Sequence, residues 1–235
     1  MGYLRLGINP LEHRAAYASA RPFPHVVLES LFPDALLESV LESFPEPNDP
    51  AWSQFDNPLE KKLGNYRRLG ETSEAIQRFL TALNSPEMLA FLEDLTGIDG
   101  LIPDPYFGGG ALHQIVSGGF LKVHADFNWH PKLKLDRRLN VLIYLNRNWR
   151  PEYGGALELW DRDMTRAQEV ILPTFNTTVV FSTTDTSFHG HPHPLTCPPH
   201  MTRKSVSLYY YSNGRPDREK SAPHDTVFPP SPGNP

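Results

Sequence analysis

The sequence predicts a mainly β domain, a sandwich or jelly roll, preceded by a helical N-terminal third. Two observations predict this fold. In the first hundred residues, leucines recur at helical spacing. From about Leu101 onward, short apolar runs instead alternate with Gly, Pro and Asn signals, which favours many short strands over alternating β–α–β units. The expected strands are ALHQIVS, GFLKVHAD, RLNVLIYLN, GGALELWD, QEVILP, TTVVFST and KSVSLYYYS.

The length of the chain fits one domain. With 235 residues it is long enough to bury a sizeable core, and single β domains often reach this size. We expect one domain over residues 1–211, with a helical part over about 1–100 and the β core over about 101–211. The segment 212–235 is rich in Pro and charge, which predicts an extended or partly disordered tail.

The N-terminal part predicts three helices around one short strand. The run FPHVVLES has the apolar and β-branched content of a strand. A helix is expected over ALLESVLESF, ending before Pro45, and then a Pro/Asn/Asp-rich loop over 46–58. Two further helices are expected over ETSEAIQRFLTALNS and SPEMLAFLEDLTG, with Ser85 as an N-cap and Gly97 as a stop signal. We expect these helices to pack on the sheet rather than to carry chemistry.

Charge and composition restrict the partners. The formal net charge is -5 and no Lys/Arg run occurs, which argues against nucleic acid as a primary partner. No stretch approaches the roughly 20 apolar residues that span a bilayer, and the N-terminus lacks the apolar core of a signal peptide. The single cysteine, Cys197, excludes an internal disulfide and fits a reducing compartment. These observations predict a cytoplasmic protein that does not contact a membrane.

A histidine and a carboxylate two residues apart form the first candidate site. His124 and Asp126 lie at the end of the predicted strand GGFLKVHAD. Side chains at i and i+2 leave the same face of a strand, so the two groups should project together. Two histidines and one carboxylate form the facial triad typical of non-haem Fe(II) oxygenases. The pair therefore predicts a metal site that needs a second histidine.

The second histidine is expected in the segment SFHGHPHPL, which contains His189, His191 and His193. The predicted strand TTVVFST leads into this segment, so we favour the first of them, His189, as the ligand and keep His191 as the alternative. A triad leaves three positions of an octahedron open and reduces the charge of a divalent ion to about +1. That arrangement suits an anionic chelating cosubstrate together with oxygen.

The last predicted strand, RKSVSLYYYS, supplies an anion-binding face. Alternation places Arg203, Ser205, Ser207 and Tyr209 on one side of this strand. Arginine binds a carboxylate through two parallel hydrogen bonds, and a serine hydroxyl can add another. Tyr144, in LNVLIYLN, can contribute a phenol from a different strand. Together these groups are expected to hold the far end of a dicarboxylate that chelates the metal.

Five motifs in order, HADFNWH, RRLNVLIYLNRNW, YGGALELWD, SFHGHPHPL and TRKSVSLYYYS, resemble the Fe(II)- and 2-oxoglutarate-dependent dioxygenases of the prolyl 4-hydroxylase-like branch. The resemblance covers roughly 112–211, and FPHVVLESLFPDALLESVLESFP is similar to the segment that opens the domain in that branch. It implies a double-stranded β-helix, a jelly roll flanked by N-terminal helices. It also assigns site residues: iron at His124, Asp126 and His189, and 2-oxoglutarate at Tyr144 and Arg203, assisted by Ser207.

The implied reaction is hydroxylation of an unactivated C–H bond with release of succinate and CO2. The cofactors are Fe(II), 2-oxoglutarate and O2, and a need for ascorbate as reductant stays open. The substrate is a small molecule, an amino acid or a peptidyl residue such as prolyl, since one fold hosts all of these. Asn128, Trp129 and Arg138 lie near the metal motif and Trp160 could wall the pocket, so these four are candidate substrate contacts.

The sequence leaves two other functional interpretations open. A cupin-like metal-binding jelly roll would not use 2-oxoglutarate and would have no need of the pair Arg203 and Tyr144. A catalytically silent barrel would normally have lost a metal ligand, whereas all three are present here. The oligomeric state is not predicted.

Overall fold

A computed structural model describes residues 8–230, and within them the chain forms four α-helices and thirteen strands. The helices are α1 (Pro10–Ser19), α2 (Asp34–Glu42), α3 (Glu74–Leu83) and α4 (Pro86–Thr96). The strands are β1 (His25–Glu29), β2 (Ser53–Asn57), β3 (Glu60–Gly64), β4 (Ile102–Pro103), β5 (Ala111–Ile115), β6 (Phe120–His124), β7 (Trp129–His130), β8 (Leu135–Tyr144), β9 (Leu157–Trp160), β10 (Ala167–Ile171), β11 (Thr177–Ser182), β12 (His189–His191) and β13 (Arg203–Ser212). None of these helices is long and apolar enough to cross a membrane.

The strands join into one curled antiparallel sheet. Its main path runs β1-β11-β8-β13-β5-β3-β6-β12-β9-β10, and β2, β4 and β7 pair at its sides with β3, β13 and β8. Because the sheet curls, residues of β8 and β13 line the same cavity as residues of β6 and β12. The predicted mainly β jelly-roll class, with helices at the N-terminal side, is confirmed.

The helices cover the face of β8 and β13 that points away from the cavity. Buried side chains of α2, α3 and α4 join those of β8 and β13 in one apolar cluster, which includes Leu37, Phe79, Leu92, Val141, Ile143, Val206, Leu208 and Tyr210. The Ser85 hydroxyl accepts from Met88 N at the start of α4, and Gly97 ends that helix with a φ of 71°. The predicted cap and stop are confirmed, as is the packing of the helices on the sheet.

Part of the predicted loop 46–58 is a strand. β2 pairs with β3 from Ser53 opposite Gly64 to Asn57 opposite Glu60. The Asn57 side chain accepts from Leu59 N at 2.8 Å and from Glu60 N at 3.1 Å, which closes the turn between the two strands. The polar composition that predicts a loop here belongs to a hairpin whose residues are mostly exposed or half-buried.

The segment after β13 stays on the surface of the domain. Arg215 is buried and donates through Nη2 to Arg137 O and Thr183 O, both at 2.7 Å. Further on, Ala125 N donates to Val227 O and Val227 N donates to Ala125 O, both at 2.9 Å. We call residues 221–228 the C-terminal strap. This strap is extended and is held against the loop that follows β6, and residues 231–235 of the predicted tail lie outside the described residues.

Candidate active site

The predicted metal ligands meet at one point. His124 ends β6 and His189 begins β12, and the two residues are direct partners across this antiparallel pair. His124 Nε2 lies 3.6 Å from Asp126 Oδ1, and His189 Nε2 lies 3.5 Å from Asp126 Oδ2. One donor atom from each residue can be chosen so that all three lie within 4.8 Å of one another. His189, rather than His191, completes this cluster.

Both imidazoles are held in the form that binds a metal. His124 Nδ1 is 2.9 Å from Lys122 O, and His189 Nδ1 is 2.9 Å from Ser187 O. Since a carbonyl only accepts, each Nδ1 carries a proton, which leaves Nε2 as the ring nitrogen that faces the ion site. Burial and the neighbouring His124 lower the pKa of His189 to about 4, so this ring is neutral at pH 7. Metal binding therefore requires no deprotonation of His189.

Asp126 is fixed by a buried amide and a buried guanidinium. Asn140 Nδ2 donates to Asp126 Oδ2 at 2.7 Å, and Arg137 Nη2 lies 3.0 Å from the same oxygen. Arg137 also donates to Asn140 Oδ1 and is fully buried, with its guanidinium 3.5 Å from the ring centre of Tyr209. Burial opposes ionisation of Asp126, but the charge of Arg137 together with His189 and His124 outweighs it and holds the pKa well below its usual range. The carboxylate is ionised and its orientation is set.

This donor set fits Fe(II). Two imidazole nitrogens and one carboxylate oxygen are borderline and hard ligands of the kind divalent iron accepts, and they approach from one side. The other side faces a cavity of about 250 Å³, which leaves room for further ligands. Among the described residues, this is the cluster of His, Cys, Asp and Glu that could hold a metal.

The predicted carboxylate clamp lies in the same cavity. Arg203 and Tyr144 are buried, and Arg203 Nη2 donates to the Tyr144 hydroxyl at 3.3 Å. Arg203 Nε donates to Gly155 O at 2.7 Å, which fixes the guanidinium. Gly155 has a φ of 70°, and a Cβ there would come within 3.0 Å of the Arg203 side chain. The close approach of the Gly155 backbone to Arg203 therefore holds the anion-binding arginine in place.

The alternation predicted for β13 is confirmed. Arg203, Ser205, Ser207 and Tyr209 line the cavity, whereas Val206 and Leu208 belong to the core cluster behind the sheet. Ile115, Leu142 and Leu157, from three different strands, line the same cavity and give it apolar walls.

The four predicted substrate contacts lie outside this cavity. Arg138 donates to Ser212 Oγ at 3.1 Å, at the end of β13. Its guanidinium also lies 3.7 Å from Glu219, so Arg138 forms its ion pair with the segment after β13. Trp160 packs in a separate apolar cluster, and Asn128 binds the C-terminal strap. Trp129 lines a neighbouring hollow. Substrate contact by any of the four stays a prediction.

Several functional groups have no counterpart among the predicted site residues. The C-terminal strap brings Thr226 and Phe228 to the cavity, and the Phe228 ring centre lies 5.3 Å from that of His124. The hairpin of β2 and β3 contributes Phe55 and Lys62 on the same cavity. The amino-acid sequence indicates the strap only through the short apolar run TVF in an otherwise polar and Pro-rich tail.

Asn128 is expected to control docking of the strap. Its Nδ2 donates to Ser221 Oγ at 2.8 Å and to Ala222 O at 3.0 Å, and its Oδ1 accepts from His224 N at 2.9 Å. Each net hydrogen bond contributes about 1 kcal/mol, so Asn128→Ala should raise the undocked population roughly 10- to 100-fold. Trypsin cleavage after Lys220 measures this, with the exposed Asn213→Ala as control. Equal cleavage of the two variants would contradict the assignment.

Comparison with known proteins agrees with this geometry. Residues 110–211 match the 2OG-Fe(II) oxygenase superfamily. No curated protein sequence matches this chain significantly. A prolyl-4-hydroxylase from Pseudomonas putida aligns with a TM-score of 0.57 at 15% identity, over 88% of this chain and 100% of that one.

Two further solved structures carry ligands named with them. A prolyl hydroxylase from Trichoplax adhaerens, in complex with a peptide fragment of the hypoxia inducible factor oxygen degradation domain, aligns with a TM-score of 0.62 at 17% identity, over 86% of this chain and 89% of that one. HygX from Streptomyces hygroscopicus, with nickel, 2-oxoglutarate and hygromycin B, aligns with a TM-score of 0.55 at 12% identity, over 91% and 95%. At these identities the likeness shows the fold.

Proposed function

We propose, because residues 110–211 of this chain match the 2OG-Fe(II) oxygenase superfamily, that the protein is a hydroxylase of unactivated C–H bonds. The observation that carries the proposal is one cavity that holds both a facial triad and a buried arginine. A metal-binding jelly roll that does not use 2-oxoglutarate would have no need of that arginine. The products besides the hydroxylated substrate are succinate and CO2.

Each group in the cavity has a role in this reaction. His124, Asp126 and His189 would hold Fe(II), while Arg203 and Tyr144 would bind the far carboxylate of 2-oxoglutarate. Ser205 lies opposite Tyr144 on the paired strands, whereas Ser207, two residues further from Arg203, lies opposite Leu142. When bound, Fe(II) and 2-oxoglutarate supply the oxygen activation and the C–H oxidation, for which side chains alone are insufficient. The chain contributes orientation of both groups and a largely buried cavity that limits access of water.

The substrate enters a limited space. The cavity of about 250 Å³ must hold 2-oxoglutarate as well as the reacting part of the substrate. A small molecule, an amino acid or a single peptidyl side chain such as prolyl fits that requirement. The two named ligands of similar structures, a peptide fragment and hygromycin B, represent both classes.

Succinate formation tests the proposal. Anaerobically purified protein is supplied with Fe(II), 2-oxoglutarate and oxygen, with and without ascorbate. We expect succinate from the wild type and none from His124→Ala. Arg203→Ala should raise the 2-oxoglutarate requirement roughly 10- to 100-fold, because hydrogen bonds to a charged group contribute about 1.5–3 kcal/mol.

Arg162 is exposed, so Arg162→Ala is the matched control for Arg203→Ala and should have the 2-oxoglutarate requirement of the wild type. Failure of the iron-loaded wild type to bind 2-oxoglutarate would overturn the proposal and favour the cupin-like alternative.

A further inference from the structure

His191 is a buried histidine whose polar atoms have no partner. It lies on β12, two residues after the metal ligand His189, is 4% exposed and lines the same cavity. Within the described residues, neither ring nitrogen of His191 has a hydrogen-bond partner. The other histidines of the cavity differ, since His113 Nε2 meets Gly109 O at 3.1 Å and the two metal ligands each meet a carbonyl.

An unpartnered imidazole in this position is costly. A buried donor or acceptor without a partner costs about 1–3 kcal/mol, and a neutral imidazole has one of each. A leucine would fill a similar volume without that cost. Buried polar groups in native proteins nearly always have a partner, so the orphaned nitrogens of His191 indicate a bound ligand in the cavity.

The direction of β12 shows which part of the cavity His191 reaches, and so which ligand it can contact. In the pair of β12 with β9, His189 lies opposite Leu159 and Gly190 opposite Glu158. From His189 to His191, β12 therefore runs alongside β9 toward the first residue of β9. Gly155, whose carbonyl accepts from Arg203, lies just before that residue in the chain. Two residues of a strand span about 7 Å. His191 thus lies between the metal cluster and the carboxylate clamp.

Charge points to the same ligand. Lys62, the other cation that lines the cavity, is paired with Glu60 at 2.8 Å. Arg203 has no carboxylate partner among the described residues, and its hydrogen bonds go to a carbonyl and to a phenol. A carboxylate beside Arg203 would compensate this charge and accept a hydrogen bond from the nearby His191 ring.

We propose that His191 is a further 2-oxoglutarate-binding residue, whose imidazole N–H donates to the distal carboxylate that Arg203 holds. This inference rests on the proposed function. It gives the histidine-rich segment SFHGHPHPL two roles, since His189 serves the metal end of the cosubstrate and His191 its opposite end.

Binding without turnover tests the inference. Iron-loaded protein is titrated under anaerobic conditions with 2-oxoglutarate, and with pyruvate, which keeps the chelating end but has no distal carboxylate. The visible absorption of the Fe(II)–2-oxoacid chelate is the readout. His191→Leu should weaken binding of 2-oxoglutarate roughly 10-fold and leave pyruvate binding unchanged. His191→Gln, which retains a donor, should recover most of the affinity.

The exposed His193→Leu is the matched control and should bind both compounds as the wild type does. Iron content and thermal unfolding of each variant report whether the fold and the metal site are intact. Wild-type affinity of His191→Leu for 2-oxoglutarate would overturn the inference while the chelate band of the wild type sustains the proposed function. Equal weakening of both compounds would also overturn it, and absence of any chelate band in the wild type would overturn both proposals.

Discussion

Asp126→Ala is expected to abolish iron binding and succinate formation. Asp126 is the anionic member of the metal cluster, and its loss also deprives Arg137 and Asn140 of the oxygen they share. Loss of a group that only supports a metal ligand typically costs 10- to 100-fold in affinity or activity, and loss of the ligand itself should exceed roughly 100-fold. Titration of the metal-free protein with Fe(II) measures the change.

The exposed Asp94→Ala, on α4, is the control for this substitution and should bind iron as the wild type does. Iron binding by Asp126→Ala at wild-type affinity would remove Asp126 from the ligand set.

Arg137→Met is expected to cause the largest loss of stability. Arg137 is fully buried beside Asp126, so its removal leaves a buried carboxylate without its cation. Breaking a buried pair in this way costs about 3–5 kcal/mol of the free energy of unfolding. Fe(II) would supply positive charge at the same carboxylate, so the loss should be smaller in iron-loaded protein. Urea unfolding with and without the metal measures both values.

Two comparisons make this result specific. Arg150→Met changes an arginine whose side chain is 67% exposed and should alter stability by less than about 0.5 kcal/mol. The double variant Arg137→Met with Asp126→Asn should lose less than the sum of the two single losses, because the buried charge is then absent. Additive losses would show that Arg137 stabilises the fold through contacts other than Asp126.

Local periodicity accounts for the parts of the site that the sequence predicts. His124 and Asp126 share a direction because they are two residues apart, and the four cavity residues of β13 follow from the same alternation. Ser85 begins α4 by accepting a hydrogen bond through its side chain, and Gly97 ends the helix through its positive φ. In each case the signal lies within a few residues of the structure that it predicts.

The residues that support Asp126 could not be predicted in this way. Arg137 and Arg138 are adjacent on β8 and therefore face opposite sides, and the sequence does not say which side is buried. The side depends on the pairing of β8 with β13, which shifts register between Tyr210 and Tyr211, opposite this end of β8. Arg137 consequently reaches the metal cluster, whereas Arg138 turns to the segment after β13.

The C-terminal strap has a consequence for synthesis of the protein. His224 binds Asn128 although the two residues are 96 positions apart in the chain. His189, the last of the three metal ligands, precedes His224 by 35 positions. A ribosome adds about 5–20 residues per second, so the ligand set is complete roughly 2 to 7 s before the strap residue that binds Asn128 exists. The strap is therefore synthesised after every metal ligand that it lies beside.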